Sequence, residues 1–231
     1  MKPTGKAARA VLKLASLVLV LLLAVLAAAF LFLNQIVSLF ILECCALGLV
    51  SLWALFALFV LYFFRDPNPR TPEGKDLVVA PAHGKVDVID ETAEPDFLGG
   101  PCRRISIFLS VFDVHVQNAP VAGKISFFKH TPGQYLNAMK TDSARFNENV
   151  LLGLDCAEPP GEKIGVRLIA GLIARRIVPW VQLNDAVRRG ERLGLIQFGS
   201  RVDIYLPPRA KLKIALGDKV IGGETVIASF D

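Results

Sequence analysis

The stretch Ala80-Pro81-Ala82-His83-Gly84-Lys85-Val86, APAHGKV, is echoed downstream by Ala119-Pro120-Val121-Ala122-Gly123-Lys124-Ile125, APVAGKI. In each copy a proline and a glycine mark a tight turn, and a β-branched residue follows within two positions. Outward from the two copies the same pattern continues. Leu77 to Val79, Lys85 to Ile89, Arg104 to Leu109, Gly123 to Phe128 and Val202 to Leu206 are short runs rich in branched residues. Several alternate, and Gly and Pro separate them, which is the pattern of strands. A second echo sets Arg189-Gly190-Glu191-Arg192-Leu193-Gly194 against Leu216-Gly217-Asp218-Lys219-Val220-Ile221-Gly222-Gly223. Ile164 to Trp180 is apolar apart from three arginines, but Gly165, Gly171 and its β-branched residues argue against a membrane helix. It reads as two short buried strands, or a strand and a turn.

The N-terminus obeys different rules. Hydrophobic residues make up 53% of the 231-residue chain, and the mean hydropathy is +0.47. That excess is concentrated between Val11 and Phe64, where Lys13 and Glu43 are the only charges. Leu14 to Leu33 is about one bilayer span of apolar residues, and Cys45 to Phe64 is about another. The first exceeds a signal-peptide core, and a second follows at once, so a helical hairpin turning between Asn34 and Glu43 is expected. Lys2, Lys6, Arg9 and Lys13 precede the first segment, Arg65, Arg70 and Lys75 follow the second, and the connection has no Lys or Arg. Both flanks are therefore expected on the cytoplasmic side of the cell (inner) membrane. The net charge of +5 suits anionic headgroups, and the absence of a dense basic stripe with aromatics argues against nucleic acid. The four cysteines show no CxxC and no Cys/His metal spacing, so reduced thiols and no metal are expected.

These readings divide the chain into a membrane anchor over 1–65, a proline-rich linker over 66–76 that cannot continue a helix, and a β domain over 77–231. The repeated turn-and-glycine pattern resembles the hammerhead strands of biotinyl/lipoyl-like domains. The expected fold is mainly β, a barrel-sandwich-hybrid domain preceded by an N-terminal transmembrane helical hairpin. Exposed strand edges would suit a homo-oligomer.

Chemistry must come from few groups. The three histidines are His83, His115 and His130. A zinc peptidase on such a barrel needs a ligand cluster, and His115 is followed by Gln117 where a second histidine would stand. A lipoyl or biotin carrier needs a lysine at a hairpin tip beside methionine, which Lys219 does not offer. Gln197-Phe198-Gly199-Ser200-Arg201-Val202-Asp203-Ile204-Tyr205-Leu206-Pro207, QFGSRVDIYLP, holds a Gly-Ser pair. It lacks the second glycine and the following helix of a hydrolase elbow. On its own it reads as a turn between strands.

Taken in order, FFRDPNPRTP, VVAPAHGKV, ISIFLSVFDVHVQNAPVAGKI, PGQYLNA, NEN, IGVRLIAGLIARRIVPWV and RRGERLGLIQFGSRVDIYLP resemble the short bacterial and archaeal type of phosphatidylserine decarboxylase proenzyme. The resemblance runs from Phe63 to the C-terminus. It implies self-cleavage between Gly199 and Ser200, giving a β chain of 1–199 and an α chain of 200–231. The α chain would begin with a pyruvoyl group derived from Ser200, the covalent cofactor. It further implies a phospholipid substrate whose amine forms a Schiff base with that group, so that phosphatidylserine is converted to phosphatidylethanolamine at the membrane. His115 occupies a histidine position shared with the family and is the candidate for proton transfer. The larger bacterial enzymes carry an aspartate where this chain has His83, and a second histidine near Asn118. His83 is therefore a candidate base for activating Ser200, since imidazole titrates near neutral pH. Substrate-binding residues are not assigned, and Arg201, Asn137 and Asn147 are left with open roles. The competing reading is non-enzymatic, a membrane-anchored hybrid-barrel adaptor in which Gly199-Ser200 is only a turn. The lack of sustained heptads for reach argues against it.

Overall fold

The computed structural model describes residues 6–33, 39–134, 146–171, 176–197 and 200–230. The chain forms two compact units, Met1–Asp66 and Pro67–Asp231. The first contains α1 (Lys6–Leu33) and α2 (Leu39–Phe63). Within them Lys13–Phe32 (20 residues) and Phe40–Phe63 (24 residues) are long and apolar enough to cross a bilayer. Leu, Val and Phe side chains are exposed along both helices, which is consistent with association with a membrane. The expected turn falls partly on residues 34–38, outside the described residues. Glu43 itself is helical, within the first turns of α2.

The second unit is β. Its first half holds β1 (Leu77–Val79), β2 (Gly84–Glu94), β3 (Gly100–Leu109), β4 (Val116–Asn118), β5 (Gly123–Thr131) and β6 (Asn149–Cys156). Its second half holds β7 (Lys163–Ala170), β8 (Arg176–Pro179), β9 (Ala186–Val187) and β10 (Arg192–Gln197), then β11 (Ser200–Leu206), β12 (Lys211–Leu212), β13 (Lys219–Val220) and β14 (Val226–Ser229). Among the described residues they build a curled eight-stranded sheet, β13-β2-β3-β11-β7-β6-β5-β9, and two three-stranded sheets, β1-β14-β12 and β4-β10-β8. The mainly β, half-barrel architecture with two apolar N-terminal helices agrees with the expected fold class. The Ile164 to Trp180 segment supplies β7 and β8, with residues 172–175 outside the described set.

The strand order has an internal two-fold character. Matching β13, β2, β3 and β11 with β9, β5, β6 and β7 reproduces the large sheet from its other edge, and the two small sheets match likewise. Backbone hydrogen bonds obey the same correspondence. Val79 N–H donates to Pro120 O while Asn118 N–H donates to Pro81 O, and Gly223 N–H reaches Ala80 O as Gly190 N–H reaches Ala119 O. The APAHGKV and APVAGKI echo is thus a structural repeat. The second echo is real but sits in another register, because Gly190 corresponds to Gly223 rather than to Gly217. Asn184 and Gly217 correspond instead, both at positive φ (75° and 96°). One half uses asparagine and the other glycine to enter the left-handed region, so residue identity misleads a comparison of the two halves there.

The core is formed by the inward faces of these strands, among them Val86, Ile107, Leu109, Ile125, Leu154, Val202, Ile204 and Leu206. Gly84 shows what the turn residues do. Its φ is 149°, and a Cβ there would collide with the carbonyl oxygen of Phe108 on β3. Gly123, its counterpart, meets Asp155 O in the same way. Each APxxGK turn therefore brings one backbone directly against another. Residues after Asp66 are strapped to the β unit. Arg70 N–H donates to Glu224 Oε1 at 2.8 Å, and Arg192 Nη2 donates to Asn68 Oδ1 at 2.8 Å. Cys102 and Cys156 are buried free thiols, and burial pushes the Cys156 thiol up to about 12, which makes it unreactive.

Candidate active site

β10 ends at Gln197, and the chain reappears at Ser200 as the first residue of β11; Phe198 and Gly199 lie outside the described residues. β11 is a central strand, antiparallel to β3 on one side and β7 on the other. Ser200 lies opposite Leu109 and Ala170. Alternation puts its side chain on the face shared with Val202, Ile204 and Leu206, which is the core face. Ser200 is 0% exposed, and its Oγ has no hydrogen-bond partner among the described residues. A buried hydroxyl in that state lacks the compensation that folded proteins ordinarily provide. The environment thus holds an unsatisfied oxygen where the chain passes from one strand to the next.

His115 follows the turn that leaves β3. Ser110 N–H and Oγ–H donate to Asp113 Oδ2 at 2.8 and 2.7 Å, which fixes the turn. The His115 ring places Nδ1 2.9 Å from the Asp113 carbonyl oxygen. A carbonyl only accepts, so Nδ1 carries a proton and Nε2 is the basic nitrogen of the neutral ring. The His115 carbonyl accepts from Gln117 Nε2 at 2.7 Å and from Ile196 N–H at 3.2 Å. His115 is fully buried beside the end of β10, whose chain continues to Ser200.

His83 occupies the turn entering β2. Phe108 of β3 lies between Lys85 on β2 and Arg201 on β11, so this turn opens at the Ser200 end of the sheet. His83 Nδ1 accepts the Gly222 N–H at 3.2 Å. The neutral ring then carries its proton on Nε2 and is a donor there. A Cβ on Gly222 would touch both His83 Nδ1 and Asn118 Oδ1 at 3.0 Å. His83 and Asn118 are therefore neighbours across one glycine. Asn118 is held by its Nδ2, which donates to Gly190 O at 2.9 Å.

The structure thus brings Ser200, His115 and His83 to one end of the large sheet. Asn147 joins them indirectly. Its Nδ2 donates to the carbonyl of Ala170 at 2.7 Å, and Ala170 faces Ser200 across the ladder. Asn137 lies outside the described residues. Arg201, with no role assigned from sequence, is fully buried and makes a two-pronged contact with Asp87, Nη1 to Oδ1 at 2.7 Å and Nη2 to Oδ2 at 2.6 Å. Asp87 was not legible as a site residue, because nothing in its pattern distinguishes it from an outward-facing polar strand residue.

Asp203 lies two residues further along the same strand and is fully buried. Burial raises its carboxyl above the ordinary aspartate range, against the lowering effects of Ser106 Oγ–H at 2.6 Å and of Arg104, Arg201 and Arg167. Burial likewise pushes Tyr205 up to about 12, so its hydroxyl remains a donor, 3.4 Å from Asp203 Oδ2.

Residues 56–228 match the family described as phosphatidylserine decarboxylase. Over 185 residues the chain is 45% identical to a phosphatidylserine decarboxylase proenzyme of Desulfotalea psychrophila, covering 80% of this chain and 85% of that protein. It is 40% identical over 198 residues to the proenzyme so named from Syntrophus aciditrophicus, covering 86% and 91%. The match to the one from Symbiobacterium thermophilum is 43% over 187 residues, covering 78% and 86%. On a β scaffold that gathers Ser200, His115 and His83 at one sheet end, a match of this extent leaves one assignment: the chain belongs to the phosphatidylserine decarboxylase family.

Proposed function

We propose that this chain is a self-processing enzyme that converts phosphatidylserine to phosphatidylethanolamine, and that Ser200 is the source of its pyruvoyl group. The observation that carries the proposal is the Ser200 hydroxyl, fully buried and without a hydrogen-bond partner among the described residues. A hydroxyl that is neither solvated nor paired is not stabilised in its resting state.

Self-processing begins when Ser200 Oγ loses its proton and bonds to the carbonyl carbon of Gly199. The Gly199–Ser200 amide C–N bond breaks, leaving an ester and a free amine on residue 200. Loss of the Cα proton of residue 200 then expels the Gly199 carboxylate from Cβ. Tautomerisation of the resulting enamine and addition of water release ammonia and leave a ketone at the head of the 200–231 chain. Once formed, the pyruvoyl group supplies an electrophile for the substrate amine and a sink for the electron pair left by departing CO₂.

The chain's own groups do the rest. Leu109 and Ala170 flank residue 200 in the ladder and exclude water from it. The backbone carbonyl of Asp113 orients His115 so that Nε2 is its basic nitrogen, which suits it to take and return protons at this sheet end. His83, with Nδ1 engaged by Gly222, suits the role of donor better than that of base. The two apolar helices would hold the site at the bilayer where the substrate lies, with the β unit on the cytoplasmic face of the inner membrane.

A denaturing gel of purified variants tests the assignment. His115→Ala is expected to remain a single full-length chain, whereas His83→Ala is expected to divide into two. Full cleavage of His115→Ala together with an uncut His83→Ala would reverse the roles of the two histidines.

A further inference from the structure

We propose that Arg201 and Asp87 form a clamp that keeps residue 200 in register after the chain has been cut. The inference rests on the processing reading above. The pair is built by a local irregularity. On β2, Val86 lies opposite Ile107 and Val88 opposite Ser106, so Asp87 is the extra residue of a β-bulge. A bulge re-aims the side chain it carries. Here the carboxylate of Asp87 reaches across β3 to the guanidinium of Arg201, at 2.7 and 2.6 Å.

Stability alone does not account for this pair. The Arg201 side chain is 2% exposed and that of Asp87 27%, and a desolvated ion pair of this kind is commonly matched or exceeded by apolar residues of similar volume. The internal repeat supplies a control within the same molecule. In the matching half, β5 has its bulge between Ile125, opposite Leu154, and Phe127, opposite Gly153, which makes Ser126 the counterpart of Asp87. Lys163 lies opposite Asp155, which itself lies opposite Lys124, just as Phe108 lies between Arg201 and Lys85. Lys163 is therefore the counterpart of Arg201. It is exposed, with its Nζ 5.2 Å from the Phe97 ring centre, while Ser126 Oγ has no hydrogen-bond partner among the described residues. The same bulge in the same sheet stands without an ion pair, so the fold does not require one. Only the half that contains Ser200 has it.

One difference between the halves is what happens at residue 200. In the uncut chain, covalent bonds hold that residue on both sides. After cleavage it becomes a chain end, and strand ends fray. Arg201 is the next residue, and its two hydrogen bonds tie the new end to β2, two strands away. Arg201 and Asp87 are thus positioning residues. Their loss is expected to matter more to the cut enzyme than to the cutting step.

The test compares the parent with Arg201→Lys, with the apolar pair Asp87→Leu/Arg201→Met and with the inverted pair Asp87→Arg/Arg201→Asp, each as full-length protein in detergent. The apolar pair is expected to process at close to the parent's rate and to melt at a similar temperature. Its cut form is expected to exchange the amide protons of residues 201–203 faster, and its kcat to fall by about 10²-fold, the scale of a 1 Å misplacement, with KM unchanged. Arg201→Lys, which keeps the charge but loses the fork, is expected to fall between, and the inverted pair to recover part of the loss. A cut apolar pair with the parent's kcat and amide protection overturns the clamp. So does a rise in KM at constant kcat, which would make Arg201 a substrate contact. A parent that never cuts contradicts the processing reading, an outcome separate from either of these.

Discussion

At the scale of single residues, Ser200 and Asp203 are two buried polar side chains whose states can be tested. Ser200 Oγ is buried and without a partner among the described residues, so replacing it removes no hydrogen bond that the fold depends on. Ser200→Ala is expected to give one full-length chain that unfolds at a temperature no lower than the parent's. The retained chain connection and the lost unpaired hydroxyl act in the same direction, and calorimetry beside a denaturing gel checks both. Asp203 is the second case. Its pKa is raised in the folded protein by burial, so between the unfolded and folded values the folded state holds the extra proton. Stability therefore falls as pH rises through that window, above the ordinary aspartate range. Asp203→Asn is expected to remove this dependence. Denaturant midpoints of parent and variant should diverge in the variant's favour as the pH is raised, and parallel curves would contradict the direction. Sequence showed the residues of this strand but not their states. Val202, Ile204 and Leu206 were legible as an alternating apolar set, whereas nothing in the pattern told that Arg201, Asp203 and Tyr205 between them are also buried. They are buried because Asp87, Ser106 and neighbouring arginines compensate them, and such compensation comes from strands far away in the chain.

At the scale of elements, the APxxGK turns carry the fold. Gly84→Ala combines a φ of 149° with a collision against Phe108 O, and is expected to destabilise by about 1–3 kcal/mol. Gly123→Ala meets Asp155 O and should be destabilising as well, with equilibrium unfolding as the measurement. The echo of these two turns was readable because each requires glycine at the same place for the same steric reason. The second echo was readable as a repeat but not in register, since Asn184 and Gly217 meet one backbone demand with different residues. The bulges at Asp87 and Ser126 left no trace in the hydrophobic pattern. A single inserted residue between alternating positions resembles ordinary variation, and Asp87 therefore surfaced only in three dimensions.

At the scale of the whole molecule, a division of the chain at Gly199–Ser200 would leave the β unit woven together. β11 runs between β3 and β7, β13 borders β2, and β14 lies between β1 and β12. All seven residues of β11 are buried. The 200–231 fragment is expected to co-migrate with 1–199 on gel filtration in detergent and to separate only on denaturation. A fragment lost under native conditions would contradict this topology. The two apolar helices were legible because length and apolar composition alone mark a segment able to span a bilayer. The chemistry proposed for Ser200 was reachable only through the family resemblance, since as bare sequence Gly199-Ser200 reads as a turn. The most direct test of the account is the intact mass of the purified protein. It predicts two chains, 1–199 and 200–231, the smaller lacking an α-amine and carrying a ketone at residue 200. A single uncut chain of 231 residues, or a small fragment that begins with an unmodified serine, would contradict it.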